Sequence, residues 1–313
     1  MADAIALYGT DLFGDAIQPP RRGPIAENFL VPPFTILNAR EGFWQERKAA
    51  WISTGIKSEL GRDGGACYNI GLNANKENNW STSDNKGSGT SIFDPVLCEL
   101  SYRWFCPSGG IVVDPFAGGS VRGIVAGLLG YRYWGCDLSE KQILANQEQA
   151  RSIAPDVMPT WVIGDSLYAL ELSPPADLIF TCPPYGDLEK YSDDPRDISN
   201  MEYHTFLPAF KRILLRCWQR LKENRFAVIV VGEFRDSKGF YRNFVGDTIN
   251  AFKEIGFHYY NEAILVTAVG SLPIRITKQF EASRKMGKTH QNVLVFVKGD
   301  PREATRNIGN ENA

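Results

Sequence analysis

Three acidic residues follow apolar runs at a spacing that indicates a ligand site. Asp114 ends the run Ile111–Val113 and precedes the loop PFAGGS (residues 115–120), Asp137 comes 23 residues later, and Asp165 ends a third run. Glycines in such a loop let a ligand approach the backbone, and free N–H groups at a helix start favour a carboxylate or phosphate. An acid after the second strand can accept both hydroxyl protons of a ribose. An acid here can also simply cap a helix, but the three in this order favour a nucleotide-like ligand.

A second pattern of chemical interest is Thr181-Cys182-Pro183-Pro184-Tyr185, which follows a fourth apolar run. The prolines stiffen the exit from the strand and remove only donors, so their carbonyls remain acceptors. Tyr185 adds a flat ring beside those acceptors. A planar aromatic amine could therefore stack on the ring and donate its N–H groups to the carbonyls. The alternative is a proline-stiffened turn without a ligand.

Alternating strands and helices must position these two patterns. The apolar spacing predicts helices over 40–56, 95–105, 121–129, 139–150, 203–221 and 241–255, and strands over 111–113, 133–136, 161–163, 177–181, 226–231, 259–267 and 292–297. Such alternation predicts an α/β fold with a parallel sheet and helices on both faces. No crossover of helical length is predicted between the last two strands, so we expect that pair to be antiparallel.

The loop Asp114–Ser120 together with Thr181–Tyr185 resembles the S-adenosylmethionine-dependent DNA amino-methyltransferases, which modify adenine at N6 or cytosine at N4. The resemblance covers about residues 91–299 and includes Phe93-Asp94-Pro95 and Lys288-Thr289-His290-Gln291. It implies a Rossmann-like, seven-stranded, mostly parallel methyltransferase sheet with one antiparallel strand. It also implies S-adenosyl-L-methionine as cofactor, DNA as substrate and a flipped target base.

The resemblance assigns two sets of site residues. Those implied to bind the cofactor are Phe93, Asp94, Asp114, Pro115, Phe116, Gly118, Gly119, Ser120, Asp137, Leu138, Asp165 and Ser166. Those implied to act in catalysis are Cys182, Pro183, Pro184 and Tyr185. The hydrogen bonds would free the lone pair of the amine, so the catalysis would be positional and electrostatic.

The chain departs from the family at two positions. Ser120 stands where the glycine motif usually ends in glycine, and Cys182 stands where adenine enzymes usually have Asp or Asn and cytosine enzymes often have Ser. Cysteine is nearly isosteric with serine but a weak acceptor, so the motif favours cytosine N4 and leaves adenine N6 open. A covalent role for Cys182 resembles the carbon-5 enzymes only superficially, because their proline–cysteine order is reversed.

The charge balance limits how the protein can meet nucleic acid. Its 313 residues carry a net charge of −2, which argues against coating nucleic acid by bulk charge and leaves room for a local basic face. The segment 211–225 has the pattern of an amphipathic helix. The segment 275–288 lacks helical apolar spacing and is predicted to be a basic loop whose phosphate contacts are Arg275, Lys278, Arg284, Lys285 and Lys288.

Cysteine and histidine usage points to neither disulfides nor metal. The six cysteines include no C-x-x-C pair, and there are only three histidines. No apolar run approaches the roughly 18 residues of a membrane span, and residues 1–16 lack the pattern of a secretory signal. We therefore expect a reduced, cytoplasmic protein of a bacterium or phage-infected host, with no membrane partner.

The chain divides into four predicted regions. These are a mobile arm (1–27), an N-terminal extension with a polar loop (28–90), a methyltransferase domain (91–300) and a C-terminal tail (301–313). Trp44 and Trp51 fall on one face of the first helix, which indicates core packing or, alternatively, base contact.

Three functions stay open at this stage. The favoured one is a site-specific DNA methyltransferase, either solitary or phage-borne or paired with a cognate restriction endonuclease. The second is an RNA guanine-N2 methyltransferase, whose reaction motif can also be a proline-proline-tyrosine turn. The third is a methyltransferase-like domain that binds nucleic acid with little or no turnover, for which Cys182 is the support.

Overall fold

The computed structural model describes residues 29–57, 93–186, 191–270 and 272–309. The predicted arm 1–27 and residues 58–90 of the predicted extension and polar loop lie outside these ranges. Within them the strands are β1 (Ile36–Asn38), β2 (Ile111–Asp114), β3 (Arg132–Asp137), β4 (Thr160–Ile163), β5 (Ala176–Thr181), β6 (Leu221–Val231), β7 (His258–Val266) and β8 (His290–Lys298). The helices are α1 (Gly42–Ser53), α2 (Pro95–Phe105), α3 (Val121–Leu128), α4 (Glu140–Ile153), α5 (Ser166–Ala169), α6 (Tyr203–Arg220), α7 (Phe244–Ile255), α8 (Leu272–Ser283) and α9 (Pro301–Ile308).

The described strands form one eight-stranded sheet in the order β1-β7-β8-β6-β5-β2-β3-β4. Strand β8 is antiparallel to β6 and β7, and the other neighbours are parallel. The predicted α/β fold with a mostly parallel sheet and one reversed strand is therefore confirmed. The order reverses beside β2, so the β2 and β5 ends open a crevice of the kind that binds ligands in such sheets.

The seven predicted strands are β2–β8, and β1 adds an eighth at the edge of the sheet. Ile36 of β1 pairs with Ile264 of β7. A three-residue strand carries no alternation of its own. Its conformation is fixed by a partner more than 200 residues away, which local pattern does not reveal.

Aromatic packing covers both faces of the sheet. One face is covered by a cluster that includes Trp44, Trp51 and Tyr102, and the other by a cluster that includes Phe206 and Phe210. The central strands β2 and β5 are buried along their whole length, as expected for parallel strands covered on both sides. This double burial holds the strand ends rigidly where the site forms.

The first helix belongs to the core. Trp44 and Trp51 are buried, and the Trp51 indole donates to Glu99 Oε2 of α2 at 2.9 Å. Arg47 also pairs with the buried Glu99; burial would raise the pKa of Glu99, but Arg47 and its neighbours hold it below its usual value. The two tryptophans therefore pack α1 against α2 and do not contact a base.

The basic segment 275–288 is largely helical, which corrects the expectation of a loop. Helix α8 spans Leu272–Ser283, and only residues 284–288 of the segment lie beyond the helix. Two of its apolar side chains, Ile274 and Phe280, are exposed. The buried apolar face that usually marks a helix is therefore weak here. Pro273 in the first turn was the available signal, because proline fits a helix start.

Candidate active site

A cleft of about 1060 Å³ opens at the carboxyl ends of the parallel strands. It gathers most of the predicted site residues, which are remote in sequence. Those in its wall are Phe93, Asp94, Pro115, Phe116, Gly118, Gly119, Asp137, Leu138, Asp165, Ser166, Cys182, Pro183, Pro184, Tyr185 and Lys288. The glycine loop and the proline motif therefore face one continuous space.

Asp114 lies beneath the cleft and does not line it. Its fully buried carboxylate accepts hydrogen bonds from Thr181 Oγ1 at 2.5 Å, Tyr133 Oη at 2.8 Å, Arg122 Nε at 2.5 Å and the Phe116 N–H at 3.1 Å. A carboxylate has about four acceptor positions. Asp114 therefore links β2, β3, β5 and the loop. Its carboxylate has no acceptor position left for the predicted direct contact with a cofactor.

Arg122 is the partner that sequence reasoning missed. It is buried in α3, lies 4.6 Å over the Phe93 ring and donates to the carbonyls of Phe116 and Ala117. Burial would lower the pKa of this guanidinium, but Asp114 raises it above its ordinary value. An arginine within the otherwise apolar run of α3 was the signal for such a buried pair.

Asp137 has a different environment from Asp114. It is partly exposed in the cleft, and its carboxylate accepts from the backbone N–H of Gly118 and of Ser139, each at 2.9 Å. Gly118 has φ +50°, a conformation that favours glycine and turns its N–H toward this acid. Asp137 also lines the cleft, so a ligand bound there would lie beside its carboxylate.

The remaining predicted cofactor residues have mixed roles. Asp165 accepts from the Leu167 N–H at 2.9 Å and so caps α5 while lining the cleft, and Asp94 caps α2 in the same way. Ser166 donates its hydroxyl to the Pro115 carbonyl. Ser120 is buried and bonds to Gln149 at 2.8 Å outside the cleft wall, so its place in the motif is structural.

The proline motif places a sulfur and a phenol side by side. The Cys182 Sγ lies 4.0 Å from the Tyr185 Oη. The Tyr185 ring is only 9% exposed and stacks on Phe234 with a centroid separation of 6.2 Å, while its hydroxyl accepts from Gln291 Nε2 at 3.1 Å. Phe234 occupies one ring face, so at most the other face is left for a substrate.

Lys288 lies inside the cleft, although it was grouped with the outer basic residues. Its Nζ donates to the Glu233 carbonyl at 3.4 Å. A β-carbon added at Gly232 would lie 3.3 Å from this Nζ and 3.8 Å from the Tyr185 hydroxyl. Burial lowers the pKa of Lys288. Lys288 is thus a cationic donor near the reaction motif.

Of the other predicted basic residues, Lys278, Arg284 and Lys285 are not part of the cleft wall. Lys278 and Arg284 are exposed, and Lys285 is half-buried. The side chain of Arg275 lies outside the described part of the structure. The prediction that these outer cations contact phosphate stays a prediction.

In the described ranges, no cluster of three or more His, Cys, Asp or Glu side chains is arranged to hold a metal ion. No helix of the same ranges is long and apolar enough to cross a membrane.

Comparison with known proteins gives structural matches only. No family model and no curated protein matches the sequence. The matching solved structures include TrmN from Thermus thermophilus (15% identity, 66% of this chain and 49% of that chain, TM-score 0.45). They also include a TehB-like SAM-dependent methyltransferase from Corynebacterium glutamicum (16%, 67% and 90%, 0.41) and the magnesium protoporphyrin IX methyltransferase ChlM from Synechocystis PCC 6803 with bound SAM (12%, 66% and 76%, 0.41). The match thus spans about half of the TrmN chain.

Proposed function

We propose that this protein is an S-adenosylmethionine-dependent methyltransferase that acts on the exocyclic amino group of cytosine (N4) or adenine (N6) in DNA. The observation that carries the proposal is the single cleft that joins the glycine loop and Asp137 to the Cys182–Tyr185 motif. These elements lie on different strands, and a methyl donor and an amine acceptor would have to meet in one such space.

The residues present fit the cofactor. The Asp137 carboxylate lines the cleft where it would accept from ribose hydroxyls, and Phe116 and Leu138 supply apolar wall for an adenine ring. The cleft volume lies at the upper end of the roughly 300–1,000 Å³ typical of small-molecule sites. This size supports room for cofactor and base together. When bound, S-adenosylmethionine supplies an electrophilic methyl group on a sulfonium.

The reaction motif fits an aromatic amine. Such an amine is a poor nucleophile because its lone pair is delocalised into the ring. The Pro183 carbonyl and the Cys182 side chain would accept its two N–H groups and hold it in line, so positioning and electrostatics would supply the catalysis. Sulfur is a weaker acceptor than a carbonyl oxygen, so the Pro183 carbonyl would accept the stronger of the two hydrogen bonds.

The target base has to leave the duplex to reach this pocket. The Tyr185 hydroxyl, fixed by Gln291, and the Lys288 ammonium offer donors to ring nitrogen or carbonyl atoms beside the amine. The near-isosteric relation of Cys182 to serine favours cytosine N4.

The test is transfer of a labelled methyl group. The purified protein is incubated with methyl-labelled S-adenosylmethionine and unmethylated duplex DNA, single-stranded DNA or RNA, and the nucleosides are identified by mass spectrometry. We expect N4-methylcytosine, or N6-methyladenine, in DNA. N2-methylguanosine in RNA alone would identify the RNA enzyme instead, and intact cofactor binding without transfer to any substrate would identify a binding domain.

A further inference from the structure

A tight turn after β6 presents an exposed phenylalanine, Phe240, at the rim of the cleft. In this segment, the 235–242 turn, Phe240 is 70% exposed although its backbone is fixed. Its N–H donates to Asp236 Oδ1 at 2.9 Å, and its carbonyl accepts from the Asp236 N–H at 2.9 Å. Arg235 and Tyr241 close the turn as an antiparallel bridge. Hydrogen bonds therefore fix the backbone of the turn, and the Phe240 ring is exposed to solvent.

Stacked side chains stiffen the base of the turn. The Arg235 guanidinium lies 3.9 Å over the Tyr241 ring and donates from Nη1 to the Gly239 carbonyl at 2.8 Å. The Arg242 guanidinium lies 5.2 Å over the ring of Tyr203. A rigid turn positions Phe240 at a low entropic cost when it meets a partner.

The rim of the cleft includes this turn, and it is cationic. Phe234, Arg235 and Tyr241 belong to the cleft wall. Phe240 directly precedes Tyr241 in the chain, and its ring is exposed to solvent. The turn carries Arg235, Lys238 and Arg242 against one acid, Asp236. Lys285 adds a further cation, because a β-carbon at Gly239 would lie 2.5 Å from its Nζ. This charge suits the phosphates of a nucleic acid.

We propose that Phe240 is a wedge that enters the base stack of duplex DNA and fills the space left when the target base turns into the cleft. Apolar side chains are inserted between base steps by other DNA-binding proteins. The base-binding cleft lies directly beside this ring, and cations that can hold the backbone surround it. The inference rests on the proposed function and extends it, because it assigns double-stranded DNA as the preferred substrate.

The wedge is needed only where a base must leave a stack. Extrusion costs a few kcal/mol in a paired duplex and least in a mismatched or single-stranded site. We therefore expect Phe240→Ala to slow transfer to duplex DNA by about tenfold or more. Transfer to single-stranded DNA, or to a duplex mismatched at the target base, should change less than about twofold.

The experiment compares single-turnover rates of wild type, Phe240→Ala, Phe240→Leu and Phe34→Ala on these three DNA substrates. Phe34 is the matched control, since it is 65% exposed and lies outside the cleft wall, and its variant should match wild type on every DNA. Phe240→Leu keeps an apolar wedge and should recover most of the duplex rate. Fluorescence of a base analogue at the target position, pyrrolocytosine for a cytosine target or 2-aminopurine for an adenine target, should rise on binding by wild type and rise less with Phe240→Ala.

Four results would overturn the wedge. They are an equal loss on duplex and single-stranded DNA, no loss on duplex, the same loss with Phe34→Ala, or wild-type transfer to single-stranded DNA only. Failure of wild type on every DNA substrate is a separate outcome, because it removes the proposed function and the wedge with it.

Discussion

Asp114 and Asp137 end neighbouring strands, yet the structure gives them opposite environments. Asp114 is fully buried and accepts four hydrogen bonds from inside the protein. Asp137 is partly exposed in the cleft and accepts from two backbone N–H groups. The sequence signal is the same, an acid after an apolar strand, so burial decides which acid braces the loop and which one lines the cleft.

The largest expected effect is on stability, from Asp114→Ala. Removing this carboxylate leaves the buried Arg122 cation unpaired, which is expected to lower the free energy of unfolding by about 3–5 kcal/mol. Asp137→Ala should cost only about 1 kcal/mol, because it removes partly solvated hydrogen bonds. Chemical denaturation of both variants measures the difference.

The double variant Asp114→Ala with Arg122→Met serves as the control. It removes the charge together with its partner, and we expect part of the lost stability to return. Equal stability of Asp114→Ala and Asp137→Ala would mean that the two acids do not differ as described.

For cofactor affinity, unlike stability, the larger effect is expected at Asp137. Asp137→Ala is expected to weaken S-adenosylmethionine binding by about 2 kcal/mol or more, close to 30-fold in Kd, because the ribose hydroxyls lose a charged acceptor. Calorimetric titration measures the affinity, and Asp156→Ala, at an exposed acid outside the cleft, is the control. Unchanged affinity in Asp137→Ala would remove this residue from the cofactor site.

The strand ends were predictable from sequence because they depend on local patterns. The apolar runs ending at Asp114, Asp137 and Thr181 are long enough to show buried parallel strands, and parallel strands bring their carboxyl ends to one edge. That is why the glycine loop and the proline motif were expected in one site before any contact was known.

What the sequence could not reveal depends on contacts between distant residues. The saturation of Asp114 requires Tyr133 and Thr181, which come from two other strands. The inward position of Lys288 depends on its approach to Gly232 and Tyr185. The burial of Tyr185 depends on Phe234 of the next strand–helix connection. Local composition contains none of these distances.

A third, smaller effect is expected at Tyr185. Tyr185→Phe keeps the ring packed on Phe234 and removes the hydroxyl that accepts from Gln291. We expect unchanged cofactor affinity and a fall in the single-turnover rate of about tenfold or less, equivalent to about 1 kcal/mol. Tyr185→Ala is the poorer test, because emptying a buried aromatic site costs about 3–5 kcal/mol of stability. A Phe variant without measurable transfer would assign the hydroxyl itself to the chemistry.

The smallest expected effect concerns Cys182 and decides between two chemistries at the same atom. If Sγ only accepts a weak hydrogen bond from the amine, Cys182→Ser should keep or raise the rate, since oxygen is the better acceptor at nearly the same size. Cys182→Ala should lower the rate by less than about tenfold, because the Pro183 carbonyl still accepts one N–H.

A covalent role for Cys182 predicts the opposite result. The thiolate would be the competent nucleophile, so both Ser and Ala variants would lose nearly all turnover while still binding cofactor. Single-turnover rates of wild type, Ser and Ala on one DNA distinguish the two chemistries, and mass spectrometry identifies the nucleoside formed. N4-methylcytosine would fit the serine-like interpretation of Cys182, whereas N6-methyladenine would show that a weak sulfur acceptor suffices at a position where adenine enzymes usually have Asp or Asn. An inactive Ser variant with intact cofactor binding would contradict the hydrogen-bonding role of Cys182.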